Sequence, residues 1–362
     1  MADAVHALRH DPTMPRPPLS AVEPLLRRTA GARAVVTGGA GFVGSHLGEE
    51  LVRRGCSVHI VDDLSSGDRA NLAALTGSPQ VRCTFASVAD PMVAHAICAD
   101  ADVVFHLAGT VGVQRLAAAP LEVMQRNLHC SEAMLAAAAA HGVPLLLASS
   151  SEVYGDGPVP FREQDPVRPG VTEGPRGGYA CAKAMGEWLA FGHAARTGWP
   201  VVVARLFNTV GPRQSGRHGM VLPRFVAQAL RGEPLTVYGS GEQTRCFAHV
   251  REVVRALVDL AAAPGAAGSV FNVGSELETS VAELAAIVRA AAGCEAPIVR
   301  LPLASVFPPG FGDPPRRRPC LDRLRRTIGW VPSMPLREIV AELLALGRAG
   351  ERSVDSLRNV AN

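Results

Sequence analysis

"AVVTGGAGFVGSHL", Ala34 to Leu47, sets a short β-branched run directly before four glycines and then a helix-length amphipathic segment. The glycines are Gly38, Gly39, Gly41 and Gly44, and the register Gly39-x-Gly41-x-x-Gly44 fits a strand-to-helix turn that receives a dinucleotide. Positions without side chains permit the turn, let backbone approach a pyrophosphate and let the helix pack closely on its sheet. The N–H groups of the first helical turn, which Phe42 and Val43 open, then face the phosphates. A plain glycine turn between two elements is the alternative, and the surrounding sequence decides between them.

Moving outward, Asp62 ends "SVHIVD", a second apolar run. A carboxylate there accepts hydrogen bonds from both ribose hydroxyls and repels a 2′-phosphate, which favours NAD over NADP. Asp63 is the neighbouring candidate. "FHLAG", Phe105 to Gly109, brings small residues to another strand end, with Leu107 and Ala108 placed against the cofactor. Together with "RAVVT", "VRCTF", "VPLLLAS" and "PVVVARL", these runs alternate with helix-length segments at Phe42–Arg54, Leu121–Ala140 and Tyr179–Arg196. Strands this apolar, separated by helices, predict a doubly wound Rossmann-type parallel sheet covered on both faces, an α/β fold. Residues 31–206 are read as the NAD-binding domain. Residues 207–350 are read as a smaller C-terminal α/β lobe interleaved with it, with helices near Leu222–Arg231, Arg251–Ala262, Val281–Ala292 and Leu336–Leu346 and strands at "LTVY" and "SVFNV". Residues 1–30 read as a mobile extension and 351–362 as a tail.

Composition narrows the function. A chain of 362 residues that is 48% hydrophobic buries a large core, and a net charge of +3 is far from that of a dedicated nucleic-acid binder. The eight cysteines stand singly at 56, 83, 98, 130, 181, 246, 294 and 320. No C-x-x-C pair or zinc spacing occurs, so no metal is expected and reduced thiols in a cytoplasm are. No apolar run is long enough to span a bilayer, so no membrane association is expected, and Met1 to Arg28 lacks the apolar centre of a signal peptide.

The chain has only three tyrosines, and Tyr179 alone is followed at four residues by a lysine, Lys183. On a helix the two share a face. A phenol is a poor base at neutrality, but a nearby ammonium and a nicotinamide cation both favour the phenolate, which then takes a proton from an alcohol while NAD takes the hydride. "LLLASSSEVYG", Leu145 to Gly155, supplies a hydroxyl opposite the tyrosine, assigned to Ser150. An accidental pair on a helix surface is the plain alternative.

"TGGAGFVGSHL", "SSSEVYGD", Tyr179 with Lys183, "RLFNTVGPR" and "PLTVYGSGEQTRCF" resemble the extended short-chain dehydrogenase/reductase family, in its nucleotide-sugar branch. The resemblance implies bound NAD, a UDP- or dTDP-sugar substrate and a homodimer. The 4,6-dehydratases of the family carry an aspartate where this chain has Ser151, a poor acid for loss of a hydroxyl. The decarboxylases carry serine and glutamate, similar to Ser151 and Glu152, and an arginine matched here by Arg317 in "PPRRRPCL". A solvated basic surface is the other reading of that cluster. The resemblance thus implies oxidative decarboxylation of UDP-glucuronate through a 4-keto sugar, giving UDP-xylose, or UDP-4-keto-xylose on early escape. A UDP-hexose 4-epimerase is the alternative; a 4,6-dehydratase or a non-catalytic NAD-binding regulator is ranked behind it. Implied substrate contacts are Asn208, Arg245, Val237, Tyr238 and Arg317, with Arg213 equally readable as a lobe-stabilising ion pair. Ser87, in "FASVAD", and the short "GPRGGY" loop depart from relatives at the adenine site and beside the substrate.

Overall fold

The computed structural model describes residues 24–27, 29–172, 177–216, 219–308 and 312–360. Its strands are β1 (Arg33–Thr37), β2 (Ser57–Val61), β3 (Val81–Thr84), β4 (Val103–His106), β5 (Leu145–Ser150), β6 (Val201–Leu206), β7 (Thr209–Val210), β8 (Leu235–Tyr238), β9 (Thr244–Cys246), β10 (Ala248–His249), β11 (Ser269–Val273), β12 (Glu278–Ser280) and β13 (Ile298–Leu301). Its α-helices are α1 (Phe42–Arg53), α2 (Pro91–Cys98), α3 (Val113–Ala118), α4 (Pro120–His141), α5 (Gly177–Thr197), α6 (Val221–Leu230), α7 (Val250–Ala262), α8 (Val281–Ala292), α9 (Asp322–Ile328) and α10 (Leu336–Val360).

Seven strands form one parallel sheet in the order β11-β6-β5-β4-β1-β2-β3. Strands β1, β4, β5 and β6 are buried along nearly their whole length because both faces are covered, which is why they read as continuous apolar runs. One face packs residues of α1 and α7, such as Leu47, Leu51, Val254 and Leu257, against Val36, Ile60, Phe105 and Leu146. The other packs Met134, Leu135 and Ala190 of α4 and α5 against Val35, Val104, Leu147 and Val203. Strand order reverses between β1 and β4, so a crevice opens at their C-terminal ends, the place where open α/β sheets bind ligands.

The smaller lobe has its own core of Leu222, Phe225, Leu235, Val237, Leu284 and Ile339. Its helix α8 is N-capped by Ser280, whose hydroxyl accepts the Glu283 N–H at 3.0 Å. Three expectations are corrected. "SVFNV" does not lie in this lobe: as β11 it pairs with β6 and completes the main sheet, because its alternate side chains fill the same two apolar layers. The extension read over 1–30 lies largely outside the described residues, but Leu25 and Leu26 are buried in the main core and the Leu26 N–H donates to the Ala261 carbonyl at 2.8 Å. The segment read as a tail continues α10 to Val360.

The tightest point of the frame is the first turn. A β-carbon on Gly44 would lie 2.1 Å from the Gly38 carbonyl oxygen, whereas one on Gly192, an exposed position of α5, would meet nothing within 4 Å. Gly44→Ala is therefore expected to destabilise by about 3 kcal/mol through overpacking, whereas Gly192→Ala stabilises by about 1 kcal/mol through helix propensity. Urea unfolding of the two variants checks the opposite signs.

Candidate active site

The glycines work at a spacing of three. Gly38 has φ +68°, and a β-carbon there would come within 2.8 Å of the Ala108 nitrogen; those of Gly41 and Gly44 would both point at the Gly38 carbonyl. Gly39 instead makes room for Ile60, whose Cγ2 lies 2.7 Å from where its β-carbon would be. Gly41 is the N-cap of α1 and gives it no side-chain cap, so the first-turn N–H groups remain directed at the crevice. Phe42 and Val43 pack on the main core. The Leu107 N–H donates to the Thr37 carbonyl at 3.1 Å and the Ala108 N–H to Thr37 Oγ1 at 3.2 Å, fixing the end of β4 beside the turn.

Asp62 is buried at the end of β2, where its oxygens accept the Ala40 N–H at 2.9 Å and the Leu64 N–H at 2.8 Å. Burial raises its carboxyl above the usual range, while these backbone donors oppose the shift. The Gly41 N–H is a third backbone donor to this carboxylate; of its roughly four acceptor directions, about one remains for a ribose hydroxyl. Asp63 is engaged elsewhere, accepting from the Ser65 N–H at 2.9 Å and pairing with Arg126 at 3.1 Å. Ser87 accepts the Ala89 N–H at 3.3 Å. Among the described residues the buried atoms His106 Nε2 and Asn127 Oδ1 have no hydrogen-bond partner, and both come from elements that rim this crevice. An uncapped helix start, a close backbone turn and an acid after β2 fit NAD.

At the tip of β5 the three serines divide. Ser149 is buried and donates to Glu187 Oε1 at 2.5 Å; Ser150 accepts the Glu152 N–H at 3.2 Å and is hydrogen-bonded to Tyr179; Ser151 is buried at the start of a 3₁₀ turn, Ser151–Tyr154. Tyr179 lies in the first turn of α5 and packs with Leu116 and Val123. Burial pushes its phenol well above the ordinary value; Ser150 and Arg317 pull it down and Glu152 pushes it further up. Lys183 is buried one turn later and donates to the Ala148 carbonyl at 3.1 Å. The expected acidification of Tyr179 by Lys183 is thus not the main effect at this phenol, whose neighbours are Ser150, Glu152 and Arg317.

Arg317 reaches this point from a strap, residues 313–320, that runs along both lobes. Thr244 N–H donates to the Pro315 carbonyl at 2.8 Å, Arg316 pairs with Glu278 at 2.5 Å, and Phe161 N–H donates to the Arg318 carbonyl at 2.9 Å. Arg317 is buried and grips Glu152 through both terminal nitrogens, that of Nη2 to Oε2 measuring 2.6 Å, and is no part of a solvated basic surface. Its charge is held by Glu152 and Asp313 against the cost of burial.

The other arginines are engaged within the lobes. Arg245 pairs with Asp313 at 2.5 Å and donates to the carbonyls of Thr244 and Pro314. Arg213, at φ +68°, pairs with Glu49 and donates to Ser45 at 3.1 Å, so it ties its loop to α1 as an ion pair. Asn208 reaches the Cys246 carbonyl at 3.5 Å. Val237 is fully buried in the smaller core, where its side chain packs and touches no open space. Tyr238, under the Arg224 guanidinium at 3.8 Å, lines a cleft of about 400 Å³ together with Gln243, Thr244, Asp313, Pro315 and Arg316. The "GPRGGY" loop falls partly on residues 173–176, outside the described residues.

Sequence reading missed the polar layer beneath these groups. Glu187 and Arg205 form a bidentate pair at 2.6 and 2.9 Å; Arg205 lies 4.7 Å over the Tyr154 ring, and the Tyr154 hydroxyl donates to Asn272 at 2.7 Å. The available signal was compositional. Of thirty-six lysines and arginines, Lys183 is the single lysine.

The model of the NAD dependent epimerase/dehydratase family matches residues 34–274. Among its relatives, the chain is 37% identical to the UDP-N-acetyl-alpha-D-glucosaminuronate decarboxylase of Bacillus cytotoxicus, over 86% of this chain and 96% of that protein. It is 35% identical to UDP-glucuronic acid decarboxylase 1 of Xenopus tropicalis, over 84% and 70%. In structure it resembles the UDP-glucose 4-epimerase of Thermotoga maritima, solved with UDP-glucose, with a TM-score of 0.79 at 27% identity, covering 88% of this chain and 99% of that one. With its glycine turn and the acid after β2, the chain belongs to the NAD-dependent epimerase/dehydratase family, within the extended short-chain dehydrogenases/reductases.

Proposed function

We propose that the protein is a UDP-glucuronate decarboxylase that works through a 4-keto sugar. The observation that carries this reading is a buried guanidinium, Arg317, gripped by Glu152 beside the Tyr179 phenol, at a strand tip that offers hydroxyls and no second acid. A uronate carboxylate needs such a cation. Loss of a hydroxyl needs an acid that Ser151 does not supply.

In this reading Gly38, Gly41, Gly44, Asp62, Leu107, Ala108 and Lys183 hold NAD, which supplies a reversible acceptor for a hydride from C4. Ser150 orients the C4 hydroxyl, and Tyr179 takes its proton as the phenolate, the form that the charges of Arg317 and of bound NAD would favour against burial. With a carbonyl at C4 the C6 carboxylate belongs to a β-keto acid: the C5–C6 bond breaks, carbon dioxide leaves, and the electron pair enters an enolate whose oxygen faces Ser150 and Tyr179. A proton from water is then delivered to C5, balancing the carbon dioxide lost, and Tyr179 returns its own proton to the C4 oxygen as the carbonyl is reduced. Arg317 and Glu152 hold the carboxylate region. Tyr238, Asn208 and Arg245 are assigned to the nucleotide side, in support of which Tyr238 and Asp313, the partner of Arg245, line the cleft beside the strap.

A second reading, a 2-acetamido uronate substrate, is favoured by the relative from Bacillus cytotoxicus. The chemistry at C4 and C6 is unchanged; only the C2 substituent differs. UDP-glucuronate and its 2-acetamido counterpart, offered separately to the purified protein, are expected to give carbon dioxide and a nucleotide pentose from the preferred one. Interconversion of UDP-glucose and UDP-galactose without carbon dioxide would instead establish the epimerase.

Tyr179→Phe removes the proton acceptor and is expected to lower kcat by about 10²–10⁴-fold while NAD stays bound. Arg317→Met paired with Glu152→Gln avoids stranding a buried charge and should stop carbon dioxide release while C4 oxidation, followed at 340 nm, persists. Oxidation lost together with decarboxylation would count against the assigned roles.

A reducing cytoplasm suits eight cysteines that all stand unpaired, and no helix among the described residues is long and apolar enough to cross a membrane. A homodimer through α4 and α5 is supported by Trp188, 57% exposed, Met185 one turn before it, and Leu121, 61% exposed. Trp188→Arg is expected to convert a dimer into a monomer in sedimentation; a monomeric native protein would dispose of that assignment.

A further inference from the structure

Glu187 has no role in the chemistry above, yet beneath the site it accepts from both Ser149 and Arg205. It stands one helical turn after Lys183 on α5, and its side chain and that of Arg205 are each only 5% exposed. Arg205 donates to its two oxygens at 2.9, 3.2 and 2.6 Å, and Ser149 donates to Oε1 at 2.5 Å. Glu187 and Lys183 lie four residues apart among the buried residues of α5, which puts them on one face, whereas Arg205 reaches on to the Tyr154 ring and the Glu163 carbonyl.

We propose that Glu187 is a positioning residue of the reaction: its buried carboxylate keeps Lys183 charged where the ammonium must serve NAD, and through Ser149 it fixes the strand end that carries Ser150.

The surroundings of Lys183 leave this task to Glu187. From β5 the ammonium meets only the Ala148 carbonyl. From β4 comes His106, buried, bonded through Nδ1 to Thr37 Oγ1 at 2.8 Å and kept neutral, its pKa pushed down to about 3 by burial. From α4 comes the Cys130 thiol, which acts on Lys183 but is itself raised by burial and so is neutral near pH 7. On α5 itself, Tyr179 is a neutral phenol. Burial lowers Lys183 to about 8, and Cys130 and Glu187 oppose the shift. Glu187 is the full negative charge among them. Removing it leaves burial less opposed, so the lysine loses its proton at lower pH. Arginine does not titrate in this range, whereas the charge of a lysine here can be set by a neighbour.

Because Lys183 is the only lysine, protein labelled with ¹⁵N-lysine gives one ammonium signal. Glu187→Gln combined with Arg205→Met removes the ion pair whole, so Arg205 is not stranded while Lys183 loses its counter-charge, and the lysine midpoint is expected to fall by about one pH unit. NAD affinity, read by tryptophan quenching, should weaken on the alkaline side along the same curve. Glu187→Asp keeps the charge and should titrate like the native protein even if its packing is poorer. Ser149→Ala tests the other link: the lysine midpoint stays, and kcat falls severalfold at little-changed KM. A native midpoint in the double variant overturns the electrostatic half, and a native kcat in Ser149→Ala overturns the strand half. The proposal rests on the nucleotide-sugar reading only for the Ser149 arm; the titration and NAD binding need no sugar, so they stand or fall separately from the substrate assignment.

Discussion

A carboxylate and a guanidinium meeting at 2.6 Å under the C-terminal edge of a parallel sheet are the constraint on which the rest depends. Taking either charge out of water alone costs several kcal/mol, and the pair recovers this only because its remaining donors and acceptors are also met. Meeting them draws in Ser149 from β5, Arg205 from β6, Glu187 from α5, and the carbonyl of Glu163. The Glu163 carboxylate in turn accepts the Asn272 N–H of β11 at 3.0 Å, and the Asn272 amide donates to the Phe161 and Cys320 carbonyls, where the strap ends. One polar layer thus sets the height of the strand tip, the helix carrying Tyr179 and Lys183, and the segment delivering Arg317.

What the sequence disclosed follows from the range of the interactions involved. Strands β1, β2, β4, β5 and β6 and helices α1, α4 and α5 were legible because their apolar periodicity is local. Glycine spacing marked the crevice, because close backbone approach leaves few other residues possible. β11 was misplaced for the same reason in reverse: "SVFNV" is a good strand anywhere, and only its pairing with β6, more than sixty residues earlier, says where it goes.

Arginines were the least legible side chains. Arg213, Arg245 and Arg317 each offer the same fork of donors, and sequence cannot tell which meets a carboxylate of the protein itself. Glu49 lies 164 positions from Arg213 and Glu152 lies 165 from Arg317, distances over which no spacing rule operates. Glu187 escaped notice for a different reason: an acid one turn after a lysine on a helix ordinarily belongs to a solvated surface, and only the depth of α5 against the sheet makes it an interior group.

The place of β11 also governs the order in which the chain can be assembled. When synthesis has passed Leu206, six strands are available, but β6 still shows its outer row of N–H and C=O groups to the surroundings. That edge is sealed only once Ser269–Val273 has emerged, with α6 to α7 made in between. A fragment ending at the sixth strand is therefore an aggregation-prone intermediate rather than a portable nucleotide-binding module, and the nascent protein must shield it until the seventh arrives.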